Sequence, residues 1–493
     1  MLLKEVRSAG LIVAYVGLFF SFLMLIPWIT SVLTGWEGGK SFLWSGLMAA
    51  IVCFLVVIAC FGDQPKITPR FGILVVNMLW FLLPILCAIP LANSSANLSL
   101  VDALFEATSG LTTTGSTIMT DILSYDRPIL LWRALMQWVG GLGILSLGLI
   151  LLPFLRIGGM QLFKMESSDR SDKPLPRLVE ISRSIIIIYV ILSLACVVAY
   201  LFVGLTPFDA LTHGMTTVAT GGFSTHDESL GYYDSTSVLW VAILFMIVGG
   251  LPFSVFVAIF FTRNIPKLDP QVLTFILIIL FSSTLLLLYQ NGEETKSIYV
   301  NTEYIFNVVS IITTTGYSSG DFMNYGSLGP ILFFFLIFIG GCAGSTAGGI
   351  KVYRFIVLGQ VIKTSLRQLI YSKGVFLLRY GNKLVDQDIY RSTVTMICCF
   401  FACLILVTIS LAFCGLDFIT AISGATTALA NVGPGIGEII GPSGSFKSLD
   451  DVEKYILILA MILGRLELFR SEEHTSELQS LTNLVCRLLL EKK

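Results

Sequence analysis

Residues 108–117 read TSGLTTTGST, a turn of small residues that ends in Thr112, Thr113, Thr114 and Gly115 and lies between apolar runs. Three later stretches repeat its position and part of its chemistry: Ala219-Thr220-Gly221-Gly222, Thr313-Thr314-Thr315-Gly316 and Ala430-Asn431-Val432-Gly433. The closing glycines stand at 115, 222, 316 and 433. A unit of roughly a hundred residues, met four times, marks an internally repeated architecture.

The residue types have a physical purpose in a membrane chain. A cation that sheds its water needs closely spaced carbonyl oxygens facing one axis, with hydroxyls able to add ligands. Glycine supplies backbone conformations closed to other residues, and threonine supplies the hydroxyl. One Ser/Thr/Gly cluster is usually an ordinary loop; four at matched places are a reason to expect an ion filter. Its expected residues are Thr112, Thr113, Thr114, Gly115, Thr220, Gly221, Gly222, Thr313, Thr314, Thr315, Gly316, Asn431, Val432 and Gly433. The carbonyls of the two residues before each closing glycine are the expected direct ligands.

Composition agrees with a membrane setting. A mean hydropathy of +0.85, with 55% hydrophobic and 13% charged residues among 493, excludes a soluble domain and indicates a polytopic membrane protein. The run from Ala9 to Ile29 is long enough to span and lacks a small-residue cleavage site, so it reads as a transmembrane helix rather than a signal peptide. The cysteines fall mostly inside apolar runs, without zinc-site spacing. Three histidines and scattered acids assemble no catalytic centre, so an enzyme is not expected. The net charge of −1 says nothing about nucleic acid, and no nucleic-acid partner is expected.

The expected fold is all-α: two leading helices, then four helix–pore-helix–filter–helix repeats around one pseudo-fourfold ion pore. Residues 1–69 hold the leading helices; 70–181, 182–269, 270–389 and 390–469 hold the repeats. Their first helices are expected near 71–92, 183–204, 271–290 and 391–414. The second helices are expected near 129–155, 237–262, 328–362 with an interruption, and 452–469. Between them lie half-length segments such as 101–111 and 207–218. Asp102, Asp209 and Asp417 sit near the starts of three such segments, where a carboxylate favours the positive end of a helix dipole. The second helices carry small residues at their centres: Gly140 and Gly141, Gly249 and Gly250, Gly340 and Gly341, and Gly464. Such residues let backbones approach closely.

Charge placement sets the orientation. With a cytoplasmic N-terminus, twenty Lys and Arg fall on inner segments and six on the outer side: Lys40, Arg127, Arg133, Lys296, Lys447 and Lys454. Acids such as Asp121, Asp227, Glu228, Glu303 and Asp321 collect outside, where they raise the local cation concentration.

The third second-helix breaks at 340–351, GGCAGSTAGGIK. Irregular backbone at membrane depth is tolerated only inside protein or beside a water-filled cavity, so this loop is expected in the pore below the filter. It lacks the Gly-Lys-Ser/Thr order of a nucleotide-binding loop. Arg465 is a lone cation within the last helix and is expected to face the conduction path, or else to pair with an acid such as Glu467.

Together, TSGLTTTGST, ATGGFSTHD, TTTGYSSGD, IGGCAGSTAGGIK, NVGPGIG and ILGRLELF resemble the TrkH/TrkG group of the TrkH–KtrB superfamily of bacterial potassium transporters. The resemblance runs to about Phe469, and the two extra leading helices suit the TrkH branch. It implies potassium uptake across the inner membrane by a multi-pass, lipid-embedded homodimer with one pore per subunit, potassium as the transported ion and no bound cofactor. It also implies opening by a cytosolic TrkA-type nucleotide-binding ring, with the basic segment 354–383 as its dock. A gate of Gly340, Gly341, Gly344, Ser345, Thr346, Gly348, Gly349, Lys351 and Arg465 is implied as well. Unequal filter quarters lead us to expect imperfect selectivity against sodium and rubidium. A proton- or sodium-coupled symporter is the alternative, with Glu106 and His213 as the ionisable candidates. After Phe469 the chain departs from the family: RSEEHTSELQS resembles the translation of a sequencing-library adapter, so 470–493 is expected to be non-native.

Overall fold

The computed structural model describes residues 2–62, 69–155, 174–262, 269–290, 297–371, 374, 376–381, 383–385 and 387–466. The 470–493 segment, Glu467 and several basic loop residues lie outside them. Among the described residues six helices are long and apolar enough to cross a membrane: Lys4–Thr34, Gly39–Cys60, Arg70–Ala92, Ser182–Phe202, Pro270–Tyr289 and Ile389–Phe413. Arg127–Leu155 adds a further 29-residue helix. Phe22, Trp44, Leu55, Leu194, Phe281 and Leu406 are exposed on the outward faces of these helices. The interior instead holds Glu106, Arg133, Gln137 and the threonines of the four turns. Apolar residues outward and polar ones inward is the arrangement that a hydrocarbon solvent selects. The chain is a multi-pass membrane protein.

Four short helices lie within this frame: Leu100–Leu111, Pro207–Val218, Ile298–Ile312 and Phe418–Ala430. At 1.5 Å per residue they reach about 18–23 Å, short of the roughly 30 Å hydrocarbon core. Each begins at a side-chain cap: the Asp102 N–H donates to the Ser99 hydroxyl, the Asp209 N–H to Thr206, the Val300 N–H to Ser297, and the Ile419 and Thr420 N–H groups to the Asp417 carboxylate. Only Asp417 is thus the cap; Asp102 and Asp209 sit in the first turn, where they add charge to a hydroxyl cap.

The expected close approaches of the second helices are present. A methyl group on Gly140 would overlap the Leu111 carbonyl, and one on Gly464 the Leu429 carbonyl. Both carbonyls end a short helix, so the glycines let each long helix seat against the start of the following turn.

One expected helix is broken. The 237–262 segment forms Thr236–Gly250 and then Phe253–Val257, which runs on into the π-helical turn Ala258–Thr262, and the part Phe253–Phe260 bends by 94° from the first. Pro252 has no N–H for a continuous ladder. The freed Gly250 carbonyl accepts from the Cys342 N–H at 2.9 Å and the Gly249 carbonyl from the Thr346 N–H at 3.3 Å. The break is therefore filled by the loop that interrupts the next unit, between Leu328–Ile337 and Val352–Ile370. A two-residue-strand hairpin pairs Arg379–Tyr380 with Lys383–Leu384.

Candidate functional site

All four short helices end in the same way. In the first, the Thr113 N–H donates to Gly110 O and the Thr114 N–H to Ser109 O. The matching bonds are Thr220 to Thr217 and Gly221 to Thr216, Thr314 to Ile311 and Thr315 to Ser310, and Asn431 to Ala428 and Val432 to Thr427. This is the Schellman pattern of helix termination. It requires a left-handed residue, which is usually glycine; here Thr113, Thr220, Thr314 and Asn431 take it, with φ of 53°, 50°, 56° and 53°. A β-branched residue there costs about 1–3 kcal/mol. Strain of this kind recurs at three of the four matched places, the fourth being taken by Asn431, which tolerates the left-handed region.

The termination decides where the carbonyls go. Each turn's N–H groups are spent backward on the helix, so its carbonyls are free to face away from it. A methyl group on Gly115 would overlap the Gly221 carbonyl oxygen, one on Gly222 that of Thr315, and one on Gly316 that of Val432; on Gly433 it would come within 2.8 Å of Thr114's. The four contacts close a ring in chain order. In every case the carbonyl belongs to the residue before a closing glycine, and it lies on the neighbouring turn's closing glycine. These glycines have φ between 79° and 108°, so a side chain there is doubly disfavoured.

Threonine hydroxyls of the turns also bond to the framework around the ring. Thr112 donates to Thr108 O and meets the Thr114 hydroxyl at 2.7 Å; Thr313 donates to Val309 O and meets Thr315 at 2.8 Å. Thr220 donates to Ala219 O, and Thr314 accepts from the Gly348 N–H at 2.7 Å. These bonds tie the hydroxyls of Thr112, Thr114, Thr220, Thr313, Thr314 and Thr315 into the framework.

The two other turns lack the threonine pair and are held by amides. Asn431 Nδ2 donates to Thr114 Oγ1 at 2.9 Å and to Met461 O at 3.0 Å, which joins the fourth turn to the first. In the second turn, Gln137 Nε2 donates to Gly221 O at 2.6 Å while its Oε1 accepts from the Phe223 N–H at 3.0 Å. Gln137 escaped the sequence reading, although a lone amide in an apolar helix was a usable signal.

The interrupting loop touches three of the turns. Its Thr346 hydroxyl accepts from Thr220, its Gly348 N–H donates to Thr314, and its Gly349 N–H donates to Ala430 O at 2.9 Å. The left-handed backbone at Gly340, Gly344, Gly349 and Lys351 bends it; Gly340 and Gly349 pack closely at its neck, and Gly341 packs against Gly250. The Ser345 hydroxyl closes a local turn onto Cys342 O. Arg465, 2% exposed, donates from Nη1 to Thr346 O at 3.2 Å. The structure therefore joins the loop and Arg465 directly.

Two cations placed outside in the sequence reading are buried. Arg133 pairs with Glu106 at 2.8 Å, donates to Ser224 O and Thr117 Oγ1, and lies 4.1 Å from the Phe223 ring centroid. Lys454 pairs with Asp102 at 2.7 Å. Both positions are near helix starts, and a count of charges by membrane side does not say which of them are buried. Glu106 also accepts from Thr117 and the Ile118 N–H, and both ring nitrogens of His213 are engaged, with Asp209 O and Ser224 Oγ. A cleft lined by all four closing glycines also holds Asp227 and His226.

The comparisons with known proteins agree over nearly the whole chain. The family model TrkH, a cation transport protein, matches residues 50–472. The chain is 39% identical over 462 residues to the Trk system potassium uptake protein TrkI of Halomonas elongata, covering 93% of each. It is 32% identical over 471 residues to the Trk system potassium uptake protein TrkH of Escherichia coli K12, covering 94% of this chain and 97% of the relative. The crystal structure of the potassium transporter TrkH from Vibrio parahaemolyticus superimposes with a TM-score of 0.85 at 31% identity, covering 95% of this chain and 98% of that one. Matching family model, sequence relatives and three-dimensional form lead to one conclusion: the chain belongs to the TrkH family of cation transport proteins.

Proposed function

We propose that this chain takes up potassium across the bacterial inner membrane, with its N-terminus cytoplasmic, along the axis enclosed by the four turns. The observation that carries this reading is the ring of equivalent carbonyls at Thr114, Gly221, Thr315 and Val432, each against the next closing glycine. Carbonyl rings replace the hydration shell of a cation without burying a formal charge. The relatives' names, Trk system potassium uptake proteins, supply the ion.

In this reading the segments 70–181, 182–269, 270–389 and 390–469 each contribute one quarter of the pore. The 340–351 loop closes the path beside three turns, and Arg465 holds it closed through Thr346 O. A homodimer and a cytosolic TrkA-type ring belong to the same proposal, with the "Trk system" naming of the relatives as support. Uncoupled conduction is favoured over symport because Glu106 and His213 are tied into hydrogen bonds rather than presented to the ring.

The test is growth of an uptake-deficient bacterium at limiting potassium, carrying this chain, a Gly316→Ser variant, or the chain with a family-type C-terminus. We expect rescue by the first and third, lost in the serine variant, whose side chain would overlap the Val432 carbonyl. No rescue by either unsubstituted chain would overturn potassium uptake.

A further inference from the structure

The four ring carbonyls differ in one respect. Among the described residues no donor reaches the Thr114, Thr315 or Val432 carbonyl, whereas Gly221 O accepts the Gln137 amide at 2.6 Å. Gln137 is fully buried. Its other amide atom accepts from the Phe223 N–H, so one planar group spans the second turn on both sides of Gly222.

Gly221 itself explains the partnership. It does not have the positive φ that would demand glycine. A Cβ there would instead overlap Gln137 Cδ and Oε1. The glycine therefore exists to admit the glutamine. Where the first and third turns have Thr114 and Thr315, each bonded to a threonine two residues earlier, the second has a gap filled from another unit's helix.

We propose that Gln137 is a specificity-determining residue of the pore, acting as the brace that orients the Gly221 carbonyl toward the ion. This rests on the potassium-pore reading above. Discrimination between potassium and sodium depends on the number and field strength of the carbonyls around the ion. Without the amide, the second turn has no threonine pair to hold its carbonyl in the ring. A ring short of one ligand favours the smaller ion.

The experiment measures rubidium uptake into an uptake-deficient bacterium and the concentrations of potassium and sodium that halve it, together with the amount of protein in the membrane. Gln137→Leu removes both amide bonds at similar volume. Gln137→Glu retains the acceptor for Phe223 and loses the donor to Gly221. Both are expected to lower the potassium-over-sodium preference roughly threefold to tenfold, about the worth of one buried hydrogen bond. An unchanged preference, whatever the uptake rate, would overturn the proposal and leave Gln137 a packing residue while the pore reading stands.

If the single variants do not reach the membrane, Gly221→Thr with Ala219→Thr and Gln137→Ala decides. It fills the vacated space with the threonine pair of the first and third turns and is expected to recover uptake with a preference above that of Gln137→Ala. A triple variant that reaches the membrane but shows no recovery counts against the brace. Absence of potassium-sensitive uptake by the unsubstituted chain removes the pore reading itself.

Discussion

The first and third turns hold themselves, while the second and fourth are held by amides reaching between distant parts of the chain. Thr112 with Thr114 and Thr313 with Thr315 form hydroxyl bridges within four residues. Gln137 and Asn431 do the equivalent work across 84 and 317 residues, to Gly221 and Thr114. The same Schellman backbone results in all four. The repeat conserves a conformation, and the side chains that secure it differ from quarter to quarter.

This difference can be broken from either side. Asn431→Ala should have the largest effect, because one amide serves Thr114, Ala428 O and Met461 O at once. At about 1 kcal/mol for each bond, uptake affinity should fall roughly a hundredfold. A rubidium-uptake titration reads it, and a change under threefold would mean that the fourth turn is held by its backbone alone.

Arg465→Ala tests whether the loop's attachment to the second, third and fourth turns restrains conduction. Among the described residues no hydrogen bond joins the loop to the first turn. A hydrogen bond from a charged donor is worth about 1.5–3 kcal/mol, so flux should rise about tenfold. Unchanged initial uptake rates at equal expression would separate Arg465 from the restraint.

Thr112→Val should be the mildest. It deletes one hydroxyl bridge in a turn that retains its own backbone bonds, and the preference for potassium over sodium should drop about threefold to fivefold. A loss as large as that from Asn431→Ala would erase the distinction between self-held and amide-held turns.

Much of the frame was legible in order along the chain. The segment expected at 207–218 is the helix Pro207–Val218, because Thr206, Pro207 and Asp209 spell a helix start within four residues. The interruption expected at 340–351 lies between helices that end at Ile337 and restart at Val352, since so many glycines cannot continue a helix. The break after Gly250 was hidden because its two halves are equally apolar, and its carbonyls find partners only on the loop ninety residues later. The burial of Arg133 and Lys454 was not legible, because the carboxylate that pairs with each arrives from another helix.

The sequence by itself determined the four matched turns, the short helices that lead into them and the apolar helices around them, since these depend on local backbone preference and on the solvent each face meets. Only the tertiary structure decided that threonine hydroxyls pair within the first and third turns, that Gly221 makes room for Gln137, and that Arg465 reaches Thr346. Those facts are distances between atoms far apart in the chain, and a linear pattern of residue types does not contain them.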